Sequence, residues 1–146
     1  MNRISISAEG VLLPVWAKKA KSYIKRVLEV MGKNNWEISL LLCNNRFVKT
    51  LNAQYRKKDE PTDVLSFPLG ETGPSGLYMA GDIVISLDAI KENTCFFGVS
   101  DEEELRRLIV HGILHLAGED HETNGAEEPM LEAQEKLLSQ ITEKIE

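Results

Sequence analysis

Strands and helices that take turns along a chain bury their apolar sides by laying helices on a sheet, and this sequence alternates in that way from end to end. Ile4 and Ile6 alternate with polar residues and predict a short strand at most. Pro14 suits the opening of a helix in which Ala17, Ala20, Ile24, Val27, Leu28 and Met31 recur at helical spacing, and Gly32 closes it. Trp36, Ile38, Leu40 and Leu42 alternate as a half-buried strand should. Asn44 is placed to cap a second helix, with Phe47, Val48, Leu51 and Tyr55 on its apolar face, ending near Arg56. From Lys57 to Pro61 the chain reads as a loop, because proline disfavours helical backbone at the residue before it. Val64 to Phe67 predicts a third strand, Pro68 to Gly76 a surface connection, and Asp82 to Ser86 a fourth strand centred on Ile83, Val84 and Ile85. Leu87 to Phe97 has weaker helical periodicity. Ser100 with Glu103 forms a capping box for a helix running through Leu105, Leu108, Ile109 and Leu114 to about Ala117. Glu128 to Ile145 predicts a last amphipathic helix on Leu131, Gln134, Leu137, Leu138, Ile141 and Ile145. The expected architecture is α/β or α+β: one domain over residues 1–146, with a mixed sheet of about four strands packed with about five helices.

The length of 146 residues suits one hydrophobic core, and 42% hydrophobic with 27% charged residues excludes a disordered or fibrous chain. No stretch reaches the roughly eighteen uninterrupted apolar residues of a membrane span, and the first residues lack a secretory leader, so a cytosolic, membrane-free location is expected. Cys43 and Cys95 show no CxxC spacing and read as reduced packing residues. The net charge of −6 argues against a surface that grips nucleic acid all round. It is unevenly divided: residues 1–70 carry twelve Lys/Arg against six Asp/Glu, and residues 101–146 carry four against thirteen. Lys18, Lys19, Lys21, Lys25 and Arg26 read as the solvated face of the first helix, whereas Arg46, Lys49, Arg56, Lys57 and Lys58 lead into the loop at Pro61.

All three histidines fall in one eleven-residue window, His111-Gly-Ile-Leu-His115-Leu-Ala-Gly118-Glu-Asp-His121. Four residues apart on a helix, His111 and His115 share one face with Cβ atoms roughly 5–6 Å apart. Gly118 follows the helical pattern, where a residue free to take positive φ reverses the chain and brings His121 back over that face. Three neutral imidazoles suit zinc and leave a fourth position open, the arrangement of a catalytic rather than a structural site. The bland alternative, in which the histidines cap helix ends or satisfy core hydrogen bonds, does not account for three of them at this spacing. The spacing is also that of the metzincin peptidases, HExxHxxGxxH, with one break: the general-base glutamate is replaced by Gly112, which cannot move a proton.

HGILHLAGEDH resembles the signature HGxLHLxGxDH of the YbeY family, bacterial rRNA maturation factors described as zinc-dependent single-strand endoribonucleases. Asn52 to Pro68 resembles that family's NxxYRxxDxPTDVLSFP block, and Gly81 to Ser86 its GDIVIS strand. With the flanking helices in order, the resemblance covers essentially the whole chain.

The resemblance implies one zinc ion held by His111, His115 and His121, and an essential arginine at Arg56. A guanidinium there would fork onto phosphate oxygens and stabilise charge that develops during phosphoryl transfer. Lys57 and Lys58 beside it are candidate substrate-binding residues. The proton acceptor is left open between Asp120, which would otherwise orient a histidine, and the weaker candidate Asp82; Asp63 is expected to fix its loop by hydrogen bonds. Met130 reads as packing rather than as a methionine turn beneath an ion. The implied substrate is the 3′ end of small-subunit ribosomal RNA, with a role in ribosome quality control and with the small ribosomal subunit and ribosomal proteins as partners. RNA would then lie in a groove built from the basic first seventy residues, with the acidic C-terminal helix facing away; no aromatic platform for base stacking is visible. A metal-dependent peptidase, and a non-catalytic ribosome-assembly factor with a structural metal, remain alternative readings.

Overall fold

Four strands, β1 (Arg3–Glu9), β2 (Trp36–Cys43), β3 (Val64–Thr72) and β4 (Tyr78–Ser86), form one mixed sheet in the computed structural model, which describes residues 1–57, 62–119 and 128–145. Their order is β1-β2-β4-β3, with β1, β2 and β4 parallel and β3 antiparallel to β4 at the edge. The helices among the described residues are α1 (Ala17–Val30), α2 (Asn45–Arg56), α3 (Leu87–Phe97), α4 (Asp101–Leu116) and α5 (Pro129–Gln140).

Both faces of the sheet are covered, which is why Ile83, Val84 and Ile85 of β4 are buried in succession rather than alternately. Ile38, Leu40, Leu42, Ile83 and Ile85 join α1 and α4 in the main core. Cys43, Leu65 and Val84 face the other way and pack with Val48 of α2. Each fully buried aliphatic side chain in these layers is worth about 1.5–3 kcal/mol of apolar burial. Burial pushes the Cys43 thiol up to about 11, in keeping with a packing role. Cys95, in contrast, is exposed on α3 and does not share the buried packing role expected of it.

Several boundaries differ from the sequence reading for physical reasons. β1 is a full seven-residue strand, held in parallel register along β2 from Arg3–Glu37 to Glu9–Cys43. α1 starts at Ala17, after a turn in which Ala17 N–H donates to the Pro14 carbonyl at 3.1 Å. β3 runs straight through Pro68 to Thr72, and β4 begins at Tyr78, so the surface connection is shorter than expected. Pro68 is tolerated because β3 is an edge strand and the pairing shifts register between Pro68 and Glu71. α5 ends at Gln140, yet Ile141 and Ile145 stay buried because the following segment continues across the core; Ile145 N–H donates to Glu102 at 2.9 Å. Met130 is fully buried in the main core.

Candidate active site

α4 carries the site, and its ends are set by local chemistry. At the N-terminus the Ser100 hydroxyl oxygen accepts the Glu103 N–H at 3.1 Å, satisfying an otherwise orphaned donor. At the C-terminus Gly118 takes φ +94, letting Glu119 N–H reach the Leu114 carbonyl and Gly118 N–H reach the His115 carbonyl, each at 3.0 Å. The reversal delivers the Glu119 carbonyl to the His115 ring, whose Nδ1 lies 3.1 Å from it.

His111 and His115 converge as their spacing requires, with Nε2 atoms 3.1 Å apart. His111 Nδ1 lies 2.7 Å from Gln134 Oε1 on α5, and the Gln134 amide is oriented by its own donation to Glu135 at 3.2 Å. Both Nδ1 atoms thus face acceptor oxygens and must carry the ring hydrogen, so in the neutral imidazoles both Nε2 atoms present lone pairs to one another. Lone pairs held so close repel unless a positive charge lies between them. Two zinc–imidazole bonds of 2.0–2.1 Å at a tetrahedral angle would separate the nitrogens by about 3.3 Å, so the donor set fits such an ion. Donation from the second ring nitrogen to a carbonyl oxygen is also the usual support of a metal-ligating histidine. Among the described residues no three His, Cys, Asp or Glu side chains are grouped so as to hold a metal ion. His121 and Asp120 lie outside the described residues, as does Lys58.

The histidine pair opens on a cleft of about 1150 Å³ whose wall also includes Arg56, from the last turn of α2. Residues 55 positions apart in sequence thereby meet across one space. Lys57 caps α2 in a left-handed conformation with φ 56 and is not part of that lining. Asp82, exposed on β4, is not part of it either. Asp63 is, and the structure ties it down: its side chain accepts from the Asn93 amide at 3.2 Å and its carbonyl from Ser86 N–H at 3.0 Å. The same Asn93 amide donates to Glu104 at 2.6 Å. Glu104 is buried, and desolvation raises its pKa, an effect opposed by the Asn93 hydrogen bond and reinforced by the Asp63 charge.

Gly112 does more than omit a carboxylate. A Cβ there would meet the Ile83 side chain at 2.9 Å, so this side of α4 lies against β4 and has no room for the glutamate of a peptidase. Ser66 on β3 donates to the Gly112 carbonyl at 3.4 Å across the same contact. The acidic C-terminal helix does not face away from the cleft: α5 contributes Leu131 and Gln134 to its wall, while Arg107 holds Glu135 at 3.2 Å. Gln134, Asn93 and Glu104 went unassigned in the sequence. The signals were a glutamine on an otherwise apolar stripe, and an acid seven residues before His111 on the same helix face.

Sheet order, helix layers and a helix-borne histidine pair on a cleft define a small α+β protein with a metal-compatible histidine site. The chain belongs to the YbeY family: the family model for Endoribonuclease YbeY matches residues 7–142. It is 49% identical to the Endoribonuclease YbeY of Treponema denticola, over 95% of this chain and 93% of that one. It is 44% identical to that of Aquifex aeolicus, over 85% and 83%. The solution structure of TM1509 from Thermotoga maritima superposes with a TM-score of 0.64 at 31% identity, covering 95% of this chain and 87% of that one.

Proposed function

We propose that this chain is a zinc-dependent, single-strand-specific endoribonuclease that matures the 3′ end of small-subunit ribosomal RNA and serves ribosome quality control in the cytoplasm. Its partners are the small ribosomal subunit and its proteins, and one domain over residues 1–146 does the work. The observation that carries the reading is the pair of Nε2 atoms converging at 3.1 Å in a cleft shared with Arg56. The family membership supplies the reaction class, since the relatives are named as endoribonucleases.

In this reading His111, His115 and His121 hold the ion, with Gln134 and the Glu119 carbonyl fixing the first two rings. Such an ion supplies Lewis acidity and a nucleophile available near neutral pH. Arg56 meets the non-bridging phosphate oxygens and offsets charge as it builds there. Lys57 and Lys58 attract the adjoining backbone, and Asp120 orients a ligand histidine or accepts the proton. A peptidase is disfavoured by Ile83 occupying the space a base at position 112 would need.

The test compares cleavage of a single-stranded RNA by purified wild type, metal-depleted protein and His115→Ala, with folding and zinc content measured in each. Loss in both altered forms, with zinc restoring the depleted wild type, is expected. Equal residual cleavage in all three would mark a contaminating nuclease and leave a non-catalytic assembly factor.

A further inference from the structure

The last turn of α3 carries two adjacent phenylalanines that the fold leaves in water. Phe96 is 82% and Phe97 64% exposed, and their rings meet edge to face with centroids 4.9 Å apart. Single exposed apolar residues are ordinary, whereas contiguous exposed apolar surface rimmed by polar groups in a groove points to a ligand. Its position says by what, because Phe97 lines the same cleft as Arg56, His111 and His115.

Asn93, one helical turn before Phe97 on the same face of α3, lines the cleft as well. Its amide hydrogens are engaged by Asp63 and Glu104, so its carbonyl oxygen is the atom that remains to accept. This part of the wall is therefore aromatic and acceptor-rich, with two carboxyl groups behind it. A phosphate is repelled there and drawn instead to the Arg56 guanidinium. The part of a nucleotide that suits the wall is the base, whose π face matches the ring and whose amino and imino groups match the acceptors.

We propose that Phe97, braced by Phe96, is a stacking platform for an unpaired nucleobase of a single-stranded RNA bound in the cleft, with the Asn93 carbonyl meeting that base's edge. The inference rests on the endoribonuclease reading and gives it a source of strand selectivity. A base inside a duplex is already stacked on both faces and paired along its edge, so the platform engages an unpaired base alone. Stacking of one base on an aromatic side chain is worth about five- to hundredfold in affinity.

The experiment uses the zinc-loaded protein and a set of short single-stranded RNAs in which one abasic nucleotide is moved along the strand. Wild type is expected to show about a tenfold rise in KM when the abasic position falls on the platform. Phe97→Ala should show that rise on intact RNA and no further rise at that position, while Phe97→Trp retains wild-type behaviour; zinc content and melting temperature report folding. A wild-type KM in Phe97→Ala, or losses that multiply at every abasic position, would overturn the platform. Should wild type cleave no RNA, the endoribonuclease reading fails first, and titration of a 2-aminopurine-containing RNA decides the platform separately. Quenching by wild type and not by Phe97→Ala sustains it, and coincident curves overturn it.

Discussion

At His111 the ring is steered from another helix, because Gln134 on α5 accepts its Nδ1 hydrogen at 2.7 Å and so turns Nε2 toward the cleft. Gln134→Leu keeps the bulk and loses the acceptor. If the histidines hold zinc as proposed, its affinity should fall about 10- to 100-fold, as for other supports of metal-bound histidines, whereas Gln134→Glu should retain most of it. Competition with a chromophoric chelator measures this, and unchanged affinity in the leucine variant would remove Gln134 from the site. Glu104 makes a second residue-scale prediction. Desolvation raises its pKa in the folded chain, so folding takes up its proton more readily than the unfolded chain does. The stabilisation is complete below the unfolded pKa and is lost as pH rises through the folded one. Glu104→Gln removes the titration and still accepts from Asn93. Its urea midpoint should exceed wild type at pH 8, with the gap closing toward pH 4. Both residues sit in plain view in the sequence, but their partners are 23 and 11 positions away, and no periodicity names a partner at that distance.

Elements show where local rules hold and where neighbours override them. The Asn44 and Ser100 caps and the Gly118 reversal are legible in the sequence, because each joins groups a few residues apart. The far end of β3 is not. A proline after Phe67 reads as a breaker, and the edge position that excuses it exists once β3 has paired with β4 alone. Gly112 likewise reads as a missing base, and its contact with Ile83 shows it also to be a spacer between α4 and the sheet. Gly112→Ala gains about 1 kcal/mol of helix propensity but overpacks a fully buried contact at about 1–3 kcal/mol. A net loss of about 1 kcal/mol is expected in urea denaturation, and a double-mutant cycle with Ile83→Ala should show favourable coupling. Additive effects would mean that α4 does not rest on Ile83.

For the whole molecule, the division of charge along the chain is a poor map of charge in space. The acidic C-terminal third supplies part of the cleft wall through α5, and Arg107 offsets Glu135 there. Arg56, from the basic first half, reaches the cleft from the last turn of α2, where its neighbour Tyr55 packs edge to face on Phe67 of β3 with ring centroids 5.4 Å apart. If Arg56 meets a phosphate, Arg56→Ala should weaken RNA binding across sequences and reduce the slope of log K against log salt by about 1. An unchanged slope would place the guanidinium away from the backbone.

What the sequence determined by itself is what short range encodes. It set the strand alternation, the helix faces, the caps, and the placing of His111 and His115 on one side of one helix, because each follows from dihedral preferences and side chains within a turn or two. It also carried the family, through blocks long enough to be specific. Tertiary structure alone decided the sheet order that makes β3 an edge, the burial of Ile141 and Ile145 past the end of α5, and the meeting of Arg56, Phe97, Gln134 and the histidines around one cleft. Those contacts depend on which faces pack together, and that is settled by the burial of the whole core.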